Sequence, residues 1–209
     1  MHVIVFGATG TVGRLTVQSL LEEEHTVTAF ARAPHKLKIK NPNLRLFAGD
    51  ALNALEVSKA VQGHDAVVVT LGAGMSRKSV IRSQGTLNII KAMQTHRVSR
   101  LICQSTLGAR DSWGNLNFWW KHVMFGALLA PVFRDHEVQE QLVEASGLDW
   151  TIVRPGAFTD APTRREVIED VPSTARGLDL KIARRDVARF LARQLADRAY
   201  VGRAVGLSS

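Results

Sequence analysis

A single α/β domain, with a doubly wound parallel sheet flanked by helices, is the fold this sequence predicts, on three observations. Short apolar runs alternate with longer stretches of helical period, the pattern of repeated βαβ units. A glycine-rich heptapeptide stands between the first run and the first helical stretch. The 209 residues, 45% apolar and 22% charged, suit one core, and no Pro-, Gly- or Ser-rich linker divides 1–209 into two domains.

Taken in order, HVIVF at His2–Phe6 reads as a buried strand, since four apolar residues run without a break. A helical stretch, 12–23, follows at once. TVTAFA at Thr26–Ala31 and LRLFA at Leu44–Ala48 supply the second and third strands, and 53–61 the next crossover helix. Strand 65–70, helix 80–95, strand Arg100–Gln104, helix 137–145 and strand 150–153 continue the alternation, giving six parallel strands. Val187, Phe190, Leu191 and Leu195 share one helical face and mark a last helix, with Asp186 as its N-cap candidate. Segments 107–133 and 156–183 break the rhythm. Both follow strand C-termini, the edge at which open α/β sheets bind ligands, and are read as substrate loops.

The heptapeptide is GATGTVG at positions 7–13, and strand, glycines and helix in that order make a dinucleotide-binding loop of the Rossmann-like kind. Gly7 permits the tight turn, Gly10 lets the backbone approach a pyrophosphate, and Gly13 lets helix and strand pack closely. The helix N-terminus offers free N–H groups to phosphates, and Thr9 and Thr11 add hydroxyls. The second strand ends at Arg32, with Lys36 four residues on and no carboxylate between positions 26 and 40, so a ribose 2′-phosphate is expected and NADP (NADPH) is favoured over NAD. Gly49-Asp50-Ala51 closes the third strand, where Asp50 can meet an adenine amino group or cap the next helix. Thr70-Leu71-Gly72-Ala73-Gly74 closes the fourth, with small residues beside the cofactor ribose.

The charge sum of +8 favours anionic partners. Its basic residues are dispersed without a nucleic-acid-binding motif, so no nucleic acid is expected. The lone Cys103 excludes an internal disulfide and cysteine-based zinc sites and points to a reducing, cytoplasmic setting. No apolar stretch reaches the roughly 20 residues of a membrane span, and the chain opens on a strand where a cleavable signal would stand. HEVQE at 136–140 matches a zinc-binding HExxH only in its first two residues, and no nucleophile elbow is present, so no metal site is expected.

GATGTVG, VTAFAR with Lys36, GDALNALEVSKAVQGHDAVVVTLG, 84–97, Ser105, Asp135-His136, SGLDWTIVRPG and Arg185-Asp186-Val187 together resemble the atypical branch of the short-chain dehydrogenase/reductase family, within it the NADPH-dependent flavin reductase (biliverdin reductase B) type. The likeness covers most of the chain. It implies cofactor contacts at Gly7, Thr9, Gly10, Thr11, Val12, Arg32, Lys36, Asp50, Ala51, Leu71, Gly72, Ser105, His136 and Pro155, with Ala73 beside them. It also departs: Gly156 and Ala157 replace a proline and a histidine of those reductases, and the segment after Ser105 is longer and Trp-rich.

Ordinary members of that family protonate a nascent alkoxide with a Tyr and a Lys four residues later. Here the sole tyrosine is Tyr200, and alignment on SGLDW puts Val132 and His136 at those positions. Alcohol chemistry is therefore disfavoured. A conjugated planar acceptor such as a flavin, quinone or bilin spreads the incoming charge and needs a strong protein acid less. Ser105 and His136 are the candidate catalytic residues: Ser105 to bond nicotinamide or substrate, His136 to bind the cofactor ribose or donate a proton. Trp113 and Phe158 are the candidate substrate contacts, and 113–133 is read as a hydrophobic lid, a peripheral membrane contact or a protein contact. The competing readings are a non-catalytic NADP-binding redox sensor and an assembly factor.

Overall fold

In the computed structural model, residues 1–74, 80–109, 130–160, 166–172 and 180–209 are described. Their strands are β1 (His2–Phe6), β2 (Thr26–Ala31), β3 (Leu44–Ala48), β4 (Ala66–Val69), β5 (Arg100–Gln104), β6 (Asp149–Pro155), β7 (Ala157–Thr159), β8 (Ile168–Glu169), β9 (Lys181–Ala183) and β10 (Arg203–Ser208). The helices are α1 (Gly13–Glu22), α2 (Ala54–Val61), α3 (Ile81–His96), α4 (Ala130–Glu144) and α5 (Arg184–Arg193).

Among these residues one eight-stranded sheet runs β3-β2-β1-β4-β5-β6-β10-β8. Every pairing is parallel except that of the edge strand β8 with β10. From β1 the chain builds outward first through β2 and β3 and then, on the other side, through β4, β5 and β6. The reversal opens a crevice at the C-terminal ends of β1 and β4. Alternation along β1 supplies the two cores: Val3 and Val5 face α1 and α5 with Leu20, Phe190 and Leu191, while Ile4 and Phe6 face the opposite layer with Val57, Ile89, Met93 and Val143.

The structure departs from the sequence expectations at several points. β10 and β8 extend the six predicted strands. Gly206 interrupts the apolar signal of β10, and a Cβ there would crowd Val171 Cβ at 3.1 Å, Leu107 Cδ1 at 3.3 Å and the Val171 carbonyl oxygen at 3.3 Å, so this strand packs closely with a bare backbone. α4 includes residues 130–136 as well as the predicted stretch, with Pro131 in its first described turn. Asp186 is not the cap of α5 but lies inside its first turn, after an N-cap at Ala183, where a carboxylate still complements the helix dipole; Leu195 lies two residues past the helix end. Asp50 does not cap α2 either: Asn53 Oδ1 accepts from the N–H groups of Leu55 and Glu56, while Asp50 Oδ1 accepts from Leu52 N at 3.0 Å in a local turn. Within 156–183, β7 and β9 form a small parallel sheet of their own.

Candidate functional site

The GATGTVG loop owes its shape to packing that its first and last glycines permit. Gly7 adopts φ +81°, a backbone region costly for residues with a Cβ, and a Cβ on it would sit 2.5 Å from the Thr70 carbonyl oxygen. A Cβ on Gly13 would stand 2.3 Å from the Gly7 carbonyl oxygen and 2.7 Å from Thr70 Oγ1. Gly10 differs: it is exposed, and a Cβ there would meet only the Gly7 oxygen, at 3.1 Å. The Gly10 N–H donates to Gly7 O at 2.9 Å and Arg14 N–H to Gly10 O at 3.1 Å, while the N–H groups of Thr11, Val12 and Gly13 donate to no group among the described residues. No carboxylate stands in the first turn of α1. A positive helix end with free donors and a bare glycine in front fits a pyrophosphate.

A cavity of about 880 Å³ extends from this loop along the C-terminal edge of the sheet. Of the residues expected at the site, Gly7, Thr9, Gly10, Thr11, Val12, Arg32, Asp50, Ala51, Leu71, Gly72, Ala73, Ser105, His136 and Phe158 all line it. A Cβ on Gly72 would enter open space, so the backbone there presents a bare surface. Lys36, exposed on the 3-10 turn Pro34–Leu37, is not part of the wall. Nor is Pro155, which is buried in β6 with its carbonyl accepting from Leu107 N at 2.9 Å; its neighbours Gly156 and Ala157 are. Trp113 and most of the Trp-rich segment lie outside the described residues, although Val132 and Phe133, at the start of α4, line the cavity.

Arg32 follows β2 and Ser105 follows β5, three strand spacings apart, or about 14 Å across the sheet. The cavity thus has a cation at one end and a hydroxyl–imidazole pair at the other. Ser105 is buried, its N–H donates to Val153 O at 2.7 Å, and its Oγ lies 3.4 Å from His136 Nδ1. Burial, with the positive Arg82 close by, pushes the His136 imidazole down to about 3. That shift favours the uncharged ring at neutral pH, a form with one ring nitrogen to donate and one to accept a hydrogen bond.

His136 is placed by the residue before it. Asp135 carboxylate oxygens accept from the N–H of Arg82 at 3.1 Å, the N–H of Ser83 at 3.0 Å and the Ser83 hydroxyl at 2.5 Å. α4 therefore caps the N-terminus of α3 across space, satisfying orphan helix donors. Farther along α4, Glu140 forms a buried bidentate pair with Arg154 of β6, at 3.0 and 2.7 Å. These two contacts fix the helix that carries His136. Arg82 also lines the cavity but was not among the expected site residues, because a single basic residue in a helical stretch carries no distinguishing pattern.

On the far wall Phe158 is 37% exposed toward the cavity, with the Arg184 guanidinium 5.3 Å from its ring centroid and Arg184 held by Asp160 at 2.8 Å. Tyr200 is elsewhere: it precedes β10, its carbonyl accepts from Thr151 Oγ1, and Gly202 N–H donates to Trp150 O at the N-terminal edge of the sheet. Cys103 is fully buried and its thiol is pushed up by burial, so it is inert. Among the described residues no helix is long and apolar enough to cross a membrane.

Fold, glycine loop and cavity define a dinucleotide-binding α/β protein of the Rossmann type. The chain belongs to the NAD(P)H-binding family, whose model matches residues 7–198. Among curated relatives, an uncharacterized sugar epimerase YhfK from Bacillus subtilis (strain 168) is 27% identical, the match covering 100% of this chain and 94% of that one. Among solved structures, a short-chain dehydrogenase/reductase from Veillonella parvula DSM 2008 in complex with NADP superposes with a TM-score of 0.80 at 20% identity, covering 100% of this chain and 94% of that one. The anaerobilin reductase ChuY from Escherichia coli O157:H7 does so with a TM-score of 0.80 at 24% identity, covering 100% and 97%.

Proposed function

We propose that this protein is an NADPH-dependent reductase of a conjugated, planar acceptor of the flavin, quinone or bilin kind. The observation that carries the reading is a cofactor-length cavity whose catalytic end holds a hydroxyl and a neutral imidazole, Ser105 and His136, with the chain's one tyrosine at the opposite edge of the sheet. Val132, which also lines the cavity, has no proton to give. Such a site suits an acceptor whose π-system takes up the charge and whose proton comes from water. The anaerobilin reductase among the structural relatives and the relative holding NADP support the same reading.

In this reading the N–H groups of Thr11, Val12 and Gly13 bind the pyrophosphate, Arg32 binds the 2′-phosphate, and Asp50 and Ala51 flank the adenine. Gly72 and Ala73 leave room for the ribose, and Ser105 orients the reactive ring. The cofactor, when bound, supplies a hydride. Phe158, backed by Arg184, offers an aromatic face for a planar acceptor.

NADPH oxidation, followed against flavins, quinones and bilins with NADH alongside, tests the proposal. Turnover with NADPH well above NADH is expected. Tight NADPH binding without turnover of any acceptor class would overturn it in favour of a redox sensor.

A further inference from the structure

Among the described residues, Arg82 is the one cation on the β4–β5 side of the cavity that the dinucleotide reading leaves unused. It stands in the first turn of α3, its side chain is 13% exposed, and it lines the cavity beside Ile81, Phe133 and His136. Its nearest carboxylate is a poor match: Arg82 Nη1 is 3.6 Å from Asp135 Oδ2, beyond good hydrogen-bond range, and the Asp135 oxygens already accept three donors from the α3 terminus. Arg82 Nε is buried without a partner among the described residues. Burial lowers this guanidinium from its usual range against the pull of Asp135, so Asp135 does not fully compensate it. A mostly buried cation with spare, fork-shaped donors at a cavity wall suits a carboxylate or phosphate.

The cofactor's phosphates are accounted for elsewhere. The pyrophosphate belongs to the loop after β1 and the 2′-phosphate to Arg32 after β2, whereas Arg82 follows β4 and is held by α4, which follows β5. Building on the proposed reductase reading, we infer that Arg82 recognises an anionic substituent, carboxylate or phosphate, on the acceptor, so that the preferred acceptor is a planar chromophore carrying a negative side group.

Matched probe pairs separate the charge from the ring system: FMN against riboflavin for a phosphate, and biliverdin against its dimethyl ester for carboxylates. Equilibrium binding to the NADP-saturated protein, read by quenching of flavin fluorescence or by bilin absorbance, does not require turnover. It therefore tests Arg82 even if no acceptor is reduced, whereas absent turnover counts against the reductase reading alone. The wild-type protein should favour the charged member of at least one pair by roughly 10-fold or more, the effect of a charged hydrogen bond. Which pair shows it identifies phosphate or carboxylate as the group read. Arg82→Gln should collapse that ratio toward one, and Arg82→Lys should keep part of it, with thermal melts confirming the fold. No charge preference in the wild type, a ratio retained in Arg82→Gln, or equal losses for both members of the pair would overturn the inference.

Discussion

Gly10→Val and Gly13→Ala should separate cofactor binding from folding within one seven-residue loop. A side chain at position 10 meets only the Gly7 carbonyl oxygen, at 3.1 Å, which a shift of a few tenths of an ångström relieves, so Gly10→Val should stay within about 0.5 kcal/mol of wild-type stability. Its methyl groups would occupy the approach to the free N–H groups of Thr11 and Val12. Two hydrogen bonds to a charged phosphate, each contributing about 1.5–3 kcal/mol, would be lost, and NADPH affinity should fall by about 100-fold or more. At position 13 the contacts are backbone at 2.3 Å and the Thr70 hydroxyl at 2.7 Å, neither of which can retreat freely. With backbone at 2.3 Å the overpacking belongs at the upper end, about 2–3 kcal/mol, and an offset of about 1 kcal/mol of helix propensity leaves Gly13→Ala less stable by about 1–2 kcal/mol, or about 2–8 °C in Tm. Circular dichroism melts and calorimetric NADPH titrations read both quantities. Wild-type affinity in a folded Gly10→Val protein would refute the loop as the phosphate seat, and an unchanged Tm in Gly13→Ala would refute the packing argument.

Arg32→Ala should weaken NADPH binding by about 10- to 100-fold and leave NADH almost unaffected, as calorimetry with both cofactors would show; equal losses would remove the 2′-phosphate assignment. Glu140→Ala withdraws the bidentate partner of the buried Arg154 and should cost about 3–5 kcal/mol of stability, measured as the urea midpoint. For His136 the folded pKa of about 3 lies below the unfolded value near 6.5, so the unfolded chain binds the proton first. Its contribution is intact above about pH 6.5 and falls by about 1.4 kcal/mol per pH unit below that until about pH 3. Urea unfolding at pH 7 and pH 5.5 should therefore differ by about 1.4 kcal/mol more in the wild type than in His136→Asn.

The parts of this molecule legible in the sequence are those whose physics is local. GATGTVG is readable because each glycine answers to an atom a few residues away or to Thr70 across a single strand pairing, and β1 to β6 are readable as short apolar runs between helical stretches. β10 was hidden because Gly206, packed closely against Val171, 35 positions earlier, stands where an apolar residue would have marked the strand. The Ser105–His136 end of the cavity falls between these cases. Ser105 could be placed by its position after a strand, and His136 by resemblance, but neither shows in sequence that the imidazole is buried and neutral. That state comes first from burial and then from the nearby charge of Arg82, which Asp135, 53 positions away in sequence, meets only because α4 docks on the N-terminus of α3. Taken singly, Asp135 reads as an ordinary carboxylate on a helix and Arg82 as an ordinary basic residue in another. Docked, the carboxylate accepts from two backbone N–H groups and the Ser83 hydroxyl and leaves the guanidinium with donors to spare. The same helix-to-helix contact thus brings the Arg82 charge toward the buried His136 and leaves that cation with donors for a ligand, which is why the character of this end of the cavity emerges only once the two helices are in place.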